Sequence, residues 1–307
     1  MTFLLAYFVI LVYNTIDVYN KCEIFALFIN EREERLRVEK HSHVRYWVDE
    51  LPKRGKTSFS LKEAEEQFPE KPATSVRRAL ARLSSDGKIH SVWKGFYAIT
   101  LPEYGLKGVV PPLDYVDQLL HHLGAGYYVA LLSAASYLGS SHHAPQVFQI
   151  ISDKVLHTKN KNDVKIVPVY KKTITGKYLK NINSRTASVA ISSPELTAID
   201  LVLYIKRSGG INQVATVLAG LAESIDFQKV DADFFSYIPA AAVQRLGYIL
   251  EAELEEKTLA DCLYDKAKLS GISFKAAPLV ADMDSRSANK SKNKRWEIIV
   301  NYEVEID

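Results

Sequence analysis

The sequence has few cysteines and lacks the short motifs that mark common enzyme classes. Its 307 residues include two cysteines, Cys22 and Cys262, whose separation matches no metal site, redox pair or disulfide framework. It contains no phosphate-binding loop of the GxxxxGK(S/T) type, no dinucleotide-binding glycine pattern and no GxSxG nucleophile motif. We therefore expect a cytoplasmic protein with reduced thiols, no cofactor and no catalytic activity.

Two pairs of adjacent histidines are the nearest approach to a metal site. His121-His122 and His142-His143 are unsuited to chelation, because neighbouring side chains on a helix point about 100° apart. Ser133 and Ser136 suggest a hydrolase only by residue type, since no oxyanion loop accompanies them. We expect no metal.

Long apolar runs are missing except at the N-terminus. Residues 1–13 are apolar, and shorter apolar patches follow as far as Ile29. The first run is shorter than the roughly 20 residues that span a bilayer. It also lacks the basic start and cleavage site of a signal peptide. A membrane anchor extending to Ile29 is one interpretation. We favour another, a start placed upstream of the true one, and expect no membrane association; residues 1–39 are then an unmatched extension.

Overall charge is nearly balanced, with 39 basic and 36 acidic residues, so its distribution carries the information. Between positions 71 and 94 one acid, Asp86, opposes six basic residues, Lys71, Arg77, Arg78, Arg82, Lys88 and Lys94. A local excess of this kind is typical of a nucleic-acid contact, although many arginine-rich helices are merely solvated.

The order of elements at 40–100 predicts a winged helix-turn-helix. Helices are expected at 43–51, at 61–68 and up to Ser85, followed by strands at 88–93 and 96–100 that are joined by Lys94-Gly95. Ser60 and Glu63 have the spacing of a capping box at the second helix. Thr74 or Ser75 is the expected N-cap of the third.

The third helix is the predicted DNA-reading element. Val76, Ala79, Leu80 and Leu83 fall on one side of it, which leaves the polar side chains free to face a major groove. The predicted DNA contacts are Thr74, Ser75, Arg77, Arg78 and Arg82, with Lys88 and Lys94 from the hairpin. Arg77 or Arg78 could form a bidentate pair with guanine, worth about 1–3 kcal/mol of discrimination.

Glycine and proline at 101–111 predict a linker, followed by a larger domain at 112–307. Helices are predicted at 113–123, 127–138, 194–207, 210–223 and 239–254, and strands at 147–151, 165–170, 187–192 and 296–306. The predicted fold class is α+β, an N-terminal winged helix-turn-helix plus a larger mixed α/β C-terminal domain.

A second basic stretch lies between Asp153 and Arg185. Its lysines could form a secondary DNA-binding face, for which the candidates are Lys171, Lys172, Lys177, Lys180 and Arg185. The alternative is a set of solubilising loops, and the sequence does not choose between the two.

Three segments of the larger region resemble a known family. YYVALLSAASYLGSSHHAPQVFQIIS (127–152), VAISSPELTAIDLV (189–202) and KRWEIIVN (294–301) together are similar to AbiEi antitoxins of type IV toxin–antitoxin systems. YWVDELPKRGKTSFSL (46–61) also resembles the start of their N-terminal domain, so the likeness covers about 46–307.

This resemblance implies two activities. The N-terminal domain would bind inverted repeats in double-stranded operator DNA and repress the protein's own operon, through the helix from Thr74 to Arg82 and the hairpin at Lys94. The C-terminal domain would oppose a nucleotidyltransferase-like toxin without forming a stable complex. Two alternatives stay open: a winged-helix regulator whose second domain senses a ligand or partner, and an enzyme with an appended DNA-binding domain.

Overall fold

The computed structural model describes residues 43–104, 109–140, 147–161, 164–184, 188–281 and 291–306. Several features discussed above lie outside these residues, namely the apolar run at 1–29, Cys22, His142-His143 and Arg185. Within the described ranges, no helix combines the length and the apolar character that crossing a membrane would require.

Three helices and a three-stranded antiparallel sheet form residues 43–101, which we call the N-terminal unit. Its elements are α1 (Val44–Glu50), β1 (Ser58–Ser60), α2 (Leu61–Gln67), α3 (Ala73–Ser85), β2 (Ile89–Trp93) and β3 (Phe96–Ile99). The strand order is β1-β3-β2, so β1 pairs with the β3 edge of the hairpin. These helices and strands occur where the sequence predicted them.

The start of α2 carries the predicted capping box. The Ser60 hydroxyl accepts a hydrogen bond from the Glu63 N–H at 3.1 Å, and the Glu63 carboxylate accepts one from the Ser60 N–H at 2.7 Å. Each side chain thus satisfies a backbone donor that the first turn of a helix leaves unpaired. The prediction from the Ser60–Glu63 spacing is confirmed.

Beyond residue 109 the chain forms a six-stranded mixed sheet. Its strands are β4 (Tyr127–Val129), β5 (Phe148–Ser152), β6 (Lys159–Lys161), β7 (Val164–Tyr170), β8 (Leu179–Asn183) and β9 (Ser188–Ser192). The order across the sheet is β6-β7-β5-β4-β9-β8, with β5–β7 and β4–β9 parallel and the other pairs antiparallel. Every residue of the central strand β5 is buried, as expected for a strand covered on both faces.

Helices surround this sheet. They are α4 (Val116–His122), α5 (Leu131–Tyr137), α6 (Pro194–Leu203), α7 (Ile211–Leu221), α8 (Ala232–Ser236), α9 (Ala240–Tyr248) and α10 (Lys257–Leu269). A π-helical turn at Ile249–Glu253 continues α9, and a smaller sheet of β10 (Ala277–Pro278), β11 (Ser291–Asn293) and β12 (Ile298–Val300) lies in the order β10-β12-β11.

The two faces of the large sheet bury different partners. On one face, Ile151 and Val169 belong to the core that helices α5–α10 complete. On the other, Ile150 and Ile166 pack in a separate cluster with α4. Neighbouring residues of a strand point to opposite faces, so the short apolar strands supply both cores.

The N-terminal unit is packed against the second of these clusters. Phe96 and Ala98 of β3 are buried with Val116 and Leu119 of α4. The Thr57 hydroxyl adds a buried hydrogen bond of 2.8 Å to the carbonyl oxygen of Asp114. The N-terminal sheet therefore has helices α1–α3 on one face and part of the larger region on the other.

Two predicted elements differ from the structure. Residues 127–138 do not form one helix, because 127–129 is β4, whose Tyr128 and Val129 are buried on opposite faces of the sheet. The predicted strand at 296–306 is limited to β12. Asn301 ends it there: its side-chain amide exchanges two hydrogen bonds with the backbone of Val280, at 3.1 and 2.8 Å, in place of further strand pairing.

Candidate nucleic-acid interface

Helix α3 is held by its aliphatic side. Val76, Leu80 and Leu83 are buried and Ala79 is half-buried. They pack in one cluster with Val44 and Val48 of α1 and with Phe59, Ala64 and Phe68 around α2. Burying a leucine side chain contributes about 1.5–3 kcal/mol, so this stripe determines which side of α3 faces outward.

The opposite side of α3 presents the predicted contacts to solvent. Thr74, Ser75, Arg77, Arg78 and Arg82 are all exposed. Because they lie within 13 helical residues that are anchored from one side only, their hydroxyl and guanidinium groups share one outer surface. A DNA-reading helix needs this division between an anchored face and a donor-bearing face.

The predicted N-cap of α3 is wrong. The helix begins at Ala73 with Pro72 as its N-cap, and no side chain caps it. The Pro72 carbonyl accepts the N–H groups of Ser75 and Val76, at 2.8 and 3.3 Å, so Thr74 and Ser75 already lie in the first helical turn. Their exposed hydroxyls and the positive end of the helix are left for an anion such as a phosphate oxygen.

Two of the basic side chains have acidic partners from elsewhere in the N-terminal unit. Arg77 Nε lies 2.9 Å from the Glu65 carboxylate of α2, and Lys88 Nζ lies 3.8 Å from that of Asp49 in α1. Counting acids along 71–94 missed both, because they come from earlier helices. The side chains involved are 29–59% exposed, so each pair contributes little, but Arg77 is less available than Arg78.

The hairpin that follows α3 carries Lys94 at its turn. Gly95 has φ +72, a left-handed conformation that favours glycine, and Lys94 is exposed beside it. The ring of the preceding Trp93 is contacted by Lys159 of β6, with Nζ 4.8 Å from the ring centroid. A lysine of the large sheet's edge strand therefore lies next to the hairpin, which the sequence did not predict.

The second basic stretch has a different environment. Lys171 Nζ forms an ion pair with the Asp200 carboxylate at 3.2 Å, and the two side chains are 15% and 0% exposed. Tyr128 donates its hydroxyl to the same carboxylate at 2.7 Å. Burial raises the pKa of Asp200, while the Lys171 ammonium and the Tyr128 hydroxyl act in the opposite direction. Lys171 is thus part of an interior network.

Other members of the predicted secondary face are separated or paired. Lys177 contacts the carboxylates of Asp231 and Asp233, and these contacts raise its pKa. Lys172 and Lys180 are exposed, one after β7 and the other on the edge strand β8. The described residues of this stretch do not form one continuous surface of unpaired positive charge. Asp200 of α6 pairs with Lys171, and two acids at the start of α8 pair with Lys177.

The residues considered for catalysis have structural environments. His121 and His122 are exposed at the end of α4, and the His122 ring lies 5.3 Å from that of Phe96. Ser133 is buried, donating to the Val147 carbonyl and accepting from the Gln149 N–H. In the described part of the chain, no three histidine, cysteine or acidic residues come together as metal ligands would.

Comparison with known families finds a match within the larger region. Residues 128–252 match the family model of the AbiEi antitoxin C-terminal domain, which covers the sequence from β4 to the π-helical turn. Residues 128–252 are therefore similar to an AbiEi antitoxin C-terminal domain, and the predicted resemblance is confirmed for these residues. The matched model describes the C-terminal domain of antitoxins. The match does not include α1–α3.

A solved structure extends the likeness in fold to most of the chain. The RV2827C protein from Mycobacterium tuberculosis superposes with a TM-score of 0.57 over 82% of this chain and 89% of its own, at 15% sequence identity. At that identity the similarity concerns the fold alone. No curated protein is significantly similar to the chain.

Proposed function

We propose that this protein is the antitoxin of a type IV toxin–antitoxin system and represses its own operon by binding inverted repeats in the operator. In this proposal the N-terminal unit is a winged helix-turn-helix with α3 as its recognition helix and the β2–β3 hairpin as its wing. The match of residues 128–252 to the AbiEi antitoxin C-terminal domain supports the assignment to a toxin–antitoxin system. Its partner would be a nucleotidyltransferase-like toxin.

The orientation of α3 is the observation that carries the DNA-binding part. The helix buries Val76, Leu80 and Leu83 and exposes Arg78 and Arg82. Its first turn has no side-chain cap, so free N–H groups and the exposed hydroxyls of Thr74 and Ser75 are suited to a phosphate. Arg78 is the better candidate for reading a guanine, because Glu65 engages Arg77.

The wing would contact the DNA backbone beside the groove that α3 enters. Lys94 is exposed at its turn, and Lys159 against Trp93 extends the positive surface onto strand β6. Phosphate contacts position a protein without reading sequence. We expect Lys94 and Lys159 to contribute salt-dependent affinity, whereas Arg78 contributes base preference.

Operator binding tests this proposal. Arg78→Ala should weaken binding of a labelled promoter fragment by about 1–3 kcal/mol and relax the preference at one base pair. Fluorescence anisotropy at fixed salt measures the affinity, and a set of single-base operator variants measures the preference. Lys229→Ala is the matched control, because it removes an exposed positive charge far along the chain, at the surface pair with Asp226.

Equal operator affinity of Arg78→Ala and the parent protein would reject α3 as the reading helix.

The toxin part is tested separately, by co-expressing the full chain with the product of the neighbouring gene. Rescue of growth is expected. If the protein represses its promoter yet never rescues growth, it is a regulator without a toxin.

A further inference from the structure

A cleft at the end of α6 is lined by cations and apolar side chains. Leu203, Tyr204 and Val280 contribute apolar surface, and Lys206, Arg207 and Arg245 contribute positive charge. Among the described residues that line it, none is acidic. Most of its lining falls within residues 128–252, which match the antitoxin domain, and the cleft shares no residue with α3 or with the wing.

Arg245 is held in a half-buried position on α9. Its Nε donates to the carbonyl oxygen of Pro278 at 3.0 Å, which fixes the guanidinium at the wall of the cleft. In the described chain it has no carboxylate partner, and burial lowers its pKa. A cation that has lost water without gaining a counter-charge is stabilised by an anion.

Hydrogen bonds to the Arg207 backbone fix the position of this residue. The buried Gln149 donates its Nε2 to the Arg207 carbonyl at 2.8 Å, and Arg207 N donates to the Tyr204 carbonyl at 2.8 Å. The side chain itself is exposed, and within the described ranges no acid pairs with it. The fixed backbone places the root of the side chain at the cleft, and the exposed guanidinium is available to an anion there.

The lining selects for an amphipathic anion. Guanidinium groups bind phosphate through paired, charge-assisted hydrogen bonds, while the aliphatic and tyrosine surfaces suit a flat apolar moiety. The cleft has a volume of about 280 Å³, just below the range of about 300–1,000 Å³ that is typical of small-molecule sites. We propose that this cleft binds a nucleoside phosphate, with Arg207 and Arg245 on the phosphate and the apolar wall against the base.

Calorimetric titration of the full chain with adenosine 5′-monophosphate tests the site. Saturable binding is expected. Adenosine alone should bind more weakly because it contacts only the apolar wall, and inorganic phosphate alone because it contacts only the arginines. Arg207→Ala and Arg245→Gln should each weaken binding about tenfold or more, the effect of removing one charge-assisted contact. Lys229→Ala should bind as the parent does.

Absence of saturable binding by the parent protein would overturn the proposal, as would unchanged affinity in Arg207→Ala. The exposed Arg207 side chain can be removed without opening the core, so this variant remains decisive if Arg245→Gln does not fold. Operator affinity measured on the same variants should stay unchanged. A loss of operator affinity without nucleotide binding would instead assign the cleft to DNA phosphates and reject a nucleotide ligand.

Discussion

The basic residues of the N-terminal unit and those between 154 and 180 look alike in the sequence but have different environments. On α3, Arg78 and Arg82 are exposed, whereas Lys171 is half-buried and paired with the buried Asp200, and Lys177 contacts two acids. The difference arises from the partners: α3 lies at the surface of a small unit, while strands of the large sheet meet acids from α6 and α8. A local excess of positive charge therefore does not by itself define a binding surface.

The largest effect is expected where a buried charge would lose its partner. Lys171→Met should lower the free energy of unfolding by about 3–5 kcal/mol, because Asp200 would remain in the core without a counter-ion. Lys172→Met, at the neighbouring exposed position, is the matched control and should change stability by less than about 0.5 kcal/mol. Urea denaturation of both variants measures the difference.

If the two variants were equally stable, Lys171 would be a surface residue, and the contrast between the two basic regions would disappear.

A double variant tests the role of Asp200 directly. Adding Asp200→Asn to Lys171→Met removes the unpaired charge and should recover part of the lost stability. A double variant less stable than Lys171→Met would show that Tyr128 alone satisfies the carboxylate.

The next effect concerns the anchored side of α3. Leu80 is fully buried, so Leu80→Ala should cost about 2–5 kcal/mol of stability, and operator binding should be lost as the unit loosens. Arg82→Ala, on the exposed side of the same helix, should leave the unfolding curve nearly unchanged. Thermal unfolding followed by circular dichroism compares them. A destabilised Arg82→Ala would contradict the division of α3 into two faces.

The smallest effect concerns the exposed pair between Glu65 and Arg77. Glu65→Gln should change stability by less than about 1 kcal/mol, since exposed ion pairs contribute little. Operator affinity should rise a few-fold at low salt, because Arg77 is released and a negative charge beside the DNA is removed. Glu66→Gln, which breaks the neighbouring contact to Lys62, is the control. Anisotropy at two salt concentrations measures both, and weaker binding by Glu65→Gln would mean that Glu65 positions Arg77 for DNA.

Sequence patterns were most informative where interactions are local. The capping box of Ser60 and Glu63, the aliphatic stripe of α3 and the Lys94-Gly95 hairpin all depend on residues within a few positions of one another. They were predicted from spacing and are found in the structure. The prediction for 127–138 failed because β4 is only three residues long and is stabilised by β5 and β9, which come later in the chain.

By itself, the sequence determined the helices and hairpin of the N-terminal unit, the outward arginines of α3 and the likeness of residues 128–252 to an antitoxin domain. Only the tertiary structure decided which charges are available. Asp200 lies 29 residues from Lys171, and Asp231 lies 54 residues from Lys177, so no local pattern links them. Local geometry follows from neighbouring side chains, whereas the pairing of a charge depends on whichever distant group the folded chain brings against it.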